Sequence, residues 1–144
     1  MTTTAGRTTT LRWQDIAVGD EVTALEIPIT TTMIVAGAIA TRDFMPVHHD
    51  RDYAKQQGSP NLFMNILTTN GYCVRFLTDW AGPEAMVSAL RVRLGAPAYP
   101  YLPLTFSGSV QSIDAETGRL VVAVQALNEL GPHVTGTVEL ELAK

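Results

Sequence analysis

Apolar and polar positions alternate in two separate parts of the chain, as they do in strands with one buried face. The first part is residues 21–29, where large apolar side chains recur at Val22, Leu25, Ile27 and Ile29. Four β-rich runs follow later in the chain, at residues 86–94, 104–113, 120–127 and 134–142. Turn-like segments separate these four runs and no helical pattern interrupts them, so they predict an antiparallel meander.

The stretch between these two parts carries helix signals. Residues 33–41 are rich in Ala and free of proline, and they predict a short helix with candidate N-caps at Thr30, Thr31 and Thr32. Residues 42–50 contain Pro46 and predict a loop. Residues 51–57 then predict a polar helical turn that ends at Gly58.

The longest amphipathic run covers residues 65–81 and predicts a long helix that ends at Gly82 and Pro83. A long helix with one apolar face needs another layer, here a sheet, to cover that face. A strand and helices followed by four strands therefore predict an α+β fold.

Length and composition indicate how many domains the chain forms. With 144 residues, of which 46% are hydrophobic, the chain can bury one core without a metal or a disulfide. Six of the first ten residues are Thr, and large apolar side chains are nearly absent there. We therefore expect residues 1–12 to form a flexible tail and residues 13–144 to form a single domain.

Charge and cysteine content argue against several classes of protein. The chain has 10 Lys and Arg against 14 Asp and Glu, a net charge of −4, which does not suit a nucleic-acid or basic membrane-binding surface. Its single cysteine, Cys73, cannot form an intramolecular disulfide and suits a reducing compartment. The longest apolar stretches are far shorter than the ~20 residues that cross a bilayer. We therefore expect a cytoplasmic protein.

The segment 42–50 carries the candidate chemistry. Asp43 and His48 are five residues apart, on either side of Pro46. A carboxylate and an imidazole that share one water can take a proton from it and return one elsewhere, which is general acid–base catalysis. Spacing alone favours a purely structural alternative, with Asp43 capping the following turn and His48 a partly exposed loop histidine.

Other candidate groups have simpler interpretations. His48, His49 and Asp50 resemble a metal cluster, but adjacent residues do not readily converge on one ion, so we expect no metal. His133 follows Gly131 and Pro132 in a turn-like segment and is predicted to be a surface residue. Cys73 lies within the predicted long helix and is expected to be a small core residue.

The segment from Asp43 to His48 also resembles the D-x-N-P-x-H motif of the MaoC-like, (R)-specific enoyl-CoA hydratases. The resemblance continues through residues 91–97 and 104–110 and covers roughly residues 15–142. It implies the hot-dog fold, in which an antiparallel sheet wraps a long central helix. It further implies an acyl-CoA thioester as substrate, no cofactor, and Asp43 with His48 as the pair that activates water.

A more specific resemblance is to the small MaoC-like subunits of actinobacterial hydratases that act on steroid side chains in cholesterol breakdown. The segments that carry it are residues 40–44, 47–52, 57–59, 63–68 and 78–83. It implies a larger MaoC-like subunit as the partner in a heteromer and a steroid enoyl-CoA as the substrate. A homodimer stays possible, because an open sheet edge can pair with either kind of chain.

Two positions depart from the pattern of the family. Met45 stands where the motif has Asn, and Asn65 stands where many members have Gly. Asn is a favoured N-cap, so Asn65 can start the long helix. Its backbone N–H is also our candidate donor to the thioester oxygen of the substrate, and the two roles are compatible.

Two alternatives to a hydratase subunit stay open at this point. The chain could be a non-catalytic assembly partner of a larger MaoC-like subunit that holds the chemistry. It could also be a hot-dog acyl-CoA thioesterase, which releases free CoA, whereas a hydratase leaves the thioester intact.

Overall fold

A computed structural model of the chain describes residues 6–142. Its centre is a five-stranded antiparallel sheet with the strand order β1-β3-β4-β5-β2. The strands are β1 (Glu21–Ile27), β2 (Met86–Leu94), β3 (Leu104–Asp114), β4 (Arg119–Asn128) and β5 (Gly131–Glu141). The five predicted strands are therefore confirmed as elements, and the fold is α+β as expected.

The predicted meander is wrong at one connection. β3, β4 and β5 are joined as a meander, but β2 pairs with β5, from Met86 opposite Glu141 to Leu94 opposite Val134. The connection of residues 95–103 therefore carries the chain from one edge of the sheet past β5 and β4 to β3. Its prolines lack the N–H that a strand ladder needs, so this segment does not return as a hairpin.

Three helices lie before the last four strands, as the pattern predicts. They are α1 (Thr31–Ala40), α2 (Arg51–Gln56) and α3 (Ile66–Ala81), and a 3₁₀ turn (Pro46–His48) lies inside the predicted loop. Each α-helix begins with a side-chain cap: Thr30 accepts from the N–H of Met33, Asp50 from those of Asp52 and Tyr53, and Asn65 from that of Thr68.

The core forms where α3 packs against the sheet. Cys73, Phe76 and Leu77 lie on the buried face of α3, and the Phe76 and Phe106 rings pack with their centroids 5.8 Å apart. Cys73 is fully buried, and this burial raises the pKa of its thiol to about 11. The predicted core role of Cys73 is therefore confirmed.

The segment before β1 runs along the end of α3. Arg7 donates its backbone N–H to the carbonyl of Asp79 at 3.0 Å, and Leu11 donates to Ala81 at 2.7 Å. Residues 1–5 of the predicted tail lie outside the described residues. The flexibility of residues 1–12 and the domain start at residue 13 stay predictions. No helix among residues 6–142 is long and apolar enough to cross a membrane.

Candidate active site

Asp43 is positioned by the end of α1. Arg42 adopts a left-handed backbone conformation with φ 59°, which turns the chain sharply after the helix. The backbone N–H of Asp43 then donates to the carbonyl of Ala38 at 2.9 Å. The Asp43 side chain is left about a quarter exposed, with 26% of its surface accessible.

His48 occupies the last position of the 3₁₀ turn, and only 8% of it is exposed. Its Nδ1 atom lies 2.7 Å from the carbonyl oxygen of Phe63. A carbonyl oxygen can only accept, so Nδ1 carries a proton and donates it. In the neutral ring the Nε2 atom therefore bears a lone pair, and it lies 3.5 Å from Oδ2 of Asp43.

The structure thus brings together the two residues that the motif singled out. The purely structural alternative, in which Asp43 caps the turn and His48 is a partly exposed loop residue, is observed for Asp43 only. Oδ1 of Asp43 does accept from the backbone N–H of Met45, at 3.3 Å, so the carboxylate helps to hold the turn. His48, however, is buried against the Phe63 ring, with the two ring centroids 5.1 Å apart, and is not a loose loop residue.

Asn65 joins this pair through its side chain, a contact that the sequence did not predict. Its Oδ1 accepts from the N–H of Thr68, as expected of an N-cap. Its Nδ2 donates to Oδ2 of Asp43 at 3.1 Å and to Oγ1 of Thr41 at 2.8 Å. The backbone N–H of Asn65 has no hydrogen-bond acceptor among residues 6–142. An amide can always donate to a carboxylate, but 22 positions separate Asn65 from Asp43 and no local sequence pattern links the two residues.

The hydrogen bond from Asn65 is the largest cause that lowers the pKa of Asp43 below its ordinary value. Partial burial of the carboxyl group opposes this effect, while the N–H of Met45 and the nearby His48 add to it. Asp43 is consequently ionised at neutral pH and able to act as a hydrogen-bond acceptor for water.

The prediction that His133 lies on the surface is wrong. The turn between β4 and β5 ends before Gly131, so His133 is a strand residue, and only 3% of it is exposed. Its Nδ1 donates to the carbonyl of Ala96 at 2.7 Å, so Nε2 of the neutral ring accepts from the Thr69 hydroxyl at 2.9 Å. Proline is tolerated near the start of a strand, which is why Pro132 misled the sequence interpretation.

Exposed apolar side chains follow the two polar residues of the site, Asp43 and Asn65, along the chain. We call them the apolar rim, and they are Phe44, Met45, Ile66 and Leu67. Two follow Asp43 along the chain and two follow Asn65, and Phe44 is 63% exposed. Single exposed apolar residues need no explanation, but a group beside an acid–base pair suits an apolar ligand or a partner chain.

Among residues 6–142 no group of metal-ligating side chains is found.

Solved structures share this fold. The (R)-hydratase from A. caviae involved in PHA biosynthesis matches with a TM-score of 0.83 over 90% of this chain and 99% of that chain, at 17% identity. At that identity the likeness shows the fold alone, which is the hot-dog fold. A comparison with protein-family models found no match.

Two matches from Mycobacterium tuberculosis are similar in sequence as well. The 3-oxo-4,17-pregnadiene-20-carboxyl-CoA hydratase beta subunit of strain H37Rv is 51% identical over 111 residues, which are 77% of this chain and 84% of that protein. A chain of the ChsH1-ChsH2 complex is 47% identical with a TM-score of 0.85, over 88% of this chain and 98% of that chain. The chain therefore belongs to the MaoC-like hydratases, in the family of this hydratase beta subunit.

Proposed function

We propose that this chain is the catalytic small subunit of a hydratase that adds water to the double bond of an α,β-unsaturated acyl-CoA thioester. The observation that carries the proposal is the distance of 3.5 Å between Oδ2 of the ionised Asp43 and Nε2 of His48, the ring nitrogen that bears the lone pair in the neutral imidazole. Both groups accept hydrogen bonds, so one water can donate one O–H to each of them. Its free lone pair is then available to attack the β-carbon of the substrate.

The pair can return the proton that it removes. As the water oxygen bonds to the β-carbon, one of the two groups takes a proton from it, and electrons move to the thioester oxygen as an enolate. The group that took the proton from the water then gives a proton to the α-carbon. The thioester carbonyl re-forms and the side chains regain their starting state, so the sum is addition of one water. No cofactor is needed for this step, and we propose none.

The backbone N–H of Asn65 is our proposed donor to the thioester oxygen. It precedes the first turn of α3, where the helix dipole favours negative charge. The N–H has no protein acceptor among residues 6–142, so it can donate to a ligand at no internal cost.

The acyl group is proposed to be a steroid with an unsaturated side chain. The support is the name of the beta subunit that is 51% identical to this chain. The apolar rim beside Asp43 suits an acyl group of that bulk and polarity. Because CoA thioesters are made and used inside cells and Cys73 has no disulfide partner, we place the reaction in the cytoplasm.

The proposed partner is a larger MaoC-like subunit. The ChsH1-ChsH2 complex is a solved heteromer that contains a chain similar to this one, which supports a heteromer here. β1 and β2 lie at the two edges of the sheet, and within residues 6–142 each has one side without a paired strand, which another chain can use. A homodimer is the alternative assembly.

The decisive experiment measures loss of the ultraviolet band of the enoyl thioester. A steroid enoyl-CoA and crotonyl-CoA are each offered to this chain alone and to a mixture with a larger MaoC-like subunit. We expect hydration of the steroid substrate in the mixture and its loss in Asp43→Asn. Full activity of the Asp43→Asn mixture would make this chain a non-catalytic partner. Release of free CoA thiol would indicate a thioesterase, and rapid hydration of crotonyl-CoA by the chain alone would rule out the steroid assignment.

A further inference from the structure

We infer that the side chain of Asn65 is a positioning residue for Asp43, which it holds as an oriented, ionised acceptor from the first turn of α3. The inference deepens the proposed function, because it assigns a role in that reaction to a group outside the Asp43–His48 pair. It concerns the side-chain amide and not the backbone N–H of the same residue.

The orientation of this amide is fixed by its neighbours. The N–H of Thr68 can only donate, so the oxygen of the Asn65 side chain faces Thr68 and the NH₂ group faces Asp43. The Thr41 hydroxyl donates its proton to the carbonyl of Gly37, at 2.8 Å, and therefore accepts from the second N–H of Asn65. Asn65 is 1% exposed, so water does not compete for these bonds.

This amide connects the parts of the chain that meet at the site. One N–H is bonded at the end of α1 through Thr41, the other is bonded to Asp43, and the oxygen caps α3. A shift of α3 relative to α1 would break at least one of these bonds. The position of the carboxylate is therefore coupled to the packing of the two helices.

Among residues 6–142, Asn65 supplies the side-chain hydrogen bond that the Asp43 carboxylate accepts. Among residues 6–142, His48 from the 3₁₀ turn is the titratable group that contacts the carboxylate, and no Lys or Arg pairs with it. The other polar neighbour with a side chain in reach, Asn65, is neutral. Met45 offers its backbone N–H at 3.3 Å and a thioether that cannot donate. The amide that reaches the carboxylate thus comes from position 65, at the start of α3, and not from the loop.

A neutral donor suits a catalytic base. It stabilises the carboxylate without a cation that would occupy the oxygen atoms needed for water. Loss of the donor makes the carboxylate harder to ionise, so Asp43 should take up its proton at a higher pH than in the wild type, and activity should fall more at the acid end of the profile, where His48 is protonated as well. At high pH the carboxylate is ionised in any case, and the activity should largely recover.

The test uses two substitutions that preserve the helix cap. Asn65→Ser keeps an N-cap oxygen and removes the amide donor, whereas Asn65→Asp keeps the cap and places a second carboxylate beside Asp43. Asn128→Ser is the matched control, because Asn128 also accepts from a backbone N–H, that of Leu130, and donates its amide to a carbonyl, that of Pro97. It contacts neither Asp43 nor His48.

Two readouts are measured on the complex with the larger subunit. In the pH profile of kcat/KM we expect Asn65→Ser to lose more activity than the wild type at the acid end, where Asp43 as well as His48 takes up a proton, and Asn65→Asp to lose more still. In the second readout, ¹³C NMR of labelled aspartate, assigned with Asp43→Asn, follows the titration of Asp43 directly. Asn128→Ser should match the wild type in both.

An unchanged acid limb and an unchanged Asp43 titration in folded Asn65→Ser and Asn65→Asp would overturn the inference. An equal loss of activity at every pH would do the same, because it would indicate a structural role only. If the wild-type complex hydrates no enoyl-CoA, the proposed function fails, while the NMR titration still shows whether Asn65 controls Asp43.

Discussion

Oδ2 of Asp43 lies 3.5 Å from Nε2 of His48, and the carbonyl of Phe63 determines which ring nitrogen of that imidazole carries the proton. Because Nδ1 donates to Phe63, the nitrogen that faces Asp43 is free to accept in the neutral ring. Two acceptors at this separation suit one bridging water and not a direct hydrogen bond to each other. The 3₁₀ turn places His48, and the carbonyl of residue 63 fixes its tautomer, so that both Asp43 and Nε2 can accept from one shared water.

Asp43→Asn should slow hydration strongly without unfolding the protein. The amide keeps the size of the carboxyl group and can still accept from the N–H of Met45, but it cannot take a proton from water. General acid–base groups typically contribute about 10²–10⁴-fold, so we expect kcat to fall by that order. Hydration is measured with the steroid enoyl-CoA and folding by circular dichroism. Asp15→Asn, at an exposed position, should retain wild-type activity.

The two catalytic substitutions should not be additive. If Asp43 and His48 act on one water, removing either group disables the same step, and the double variant Asp43→Asn/His48→Gln should be about as slow as the worse single variant. A double-mutant cycle on kcat measures this coupling. Additive losses in the logarithm of the rate would mean that the two residues serve separate steps, which contradicts a shared water.

The sequence predicted elements well where the signal is local. The caps at Thr30 and Asn65, the stop at Gly58 and the five strands follow from neighbouring residue types, and all are observed. Asp43 and His48 could be paired because a short loop links them. The resemblance to a known family then supplied the fold and the reaction, which periodicity could not.

The failures concern contacts between distant parts of the chain. Whether β2 pairs with β3 or β5 depends on the path of residues 95–103. The prolines in this segment argue against a strand ladder there, but they do not specify which strand β2 pairs with. His133 was misplaced because its partners, Ala96 and Thr69, are 37 and 64 positions away. The amide of Asn65 was missed for the same reason. Hydrogen bonds across the fold depend on the packed structure, and sequence spacing does not encode them.

Gly71→Ala should stabilise the protein. Gly71 is an exposed residue inside α3, and a Cβ added there meets nothing within 4 Å. Alanine has the higher helix propensity, so we expect the free energy of unfolding to rise by about 0.5–1 kcal/mol. Urea denaturation measures it. Gly108→Ala is the contrasting variant: its Cβ would lie 2.5 Å from the carbonyl oxygen of Ala123, so it should destabilise.

His133 should make the stability of the protein depend on pH. Burial lowers the pKa of the folded-state imidazole below its ordinary value, although its bond to Ala96 opposes the shift. Below the ordinary pKa of about 6.5, the unfolded chain binds a proton that the folded chain does not accept. The stabilising contribution is therefore complete above that pH and is lost as the pH falls towards the folded-state pKa.

The variant His133→Gln tests this dependence. It has no group that titrates, so its free energy of unfolding should fall less steeply than that of the wild type as the pH drops below about 6.5. Gln cannot reproduce both bonds of the ring, so the variant should also be less stable at pH 8, by about 1–3 kcal/mol. His49→Gln, at an exposed histidine, is the matched control and should keep the wild-type slope. Equal slopes for His133→Gln and the wild type would mean that His133 takes up its proton equally in both states, against the buried geometry.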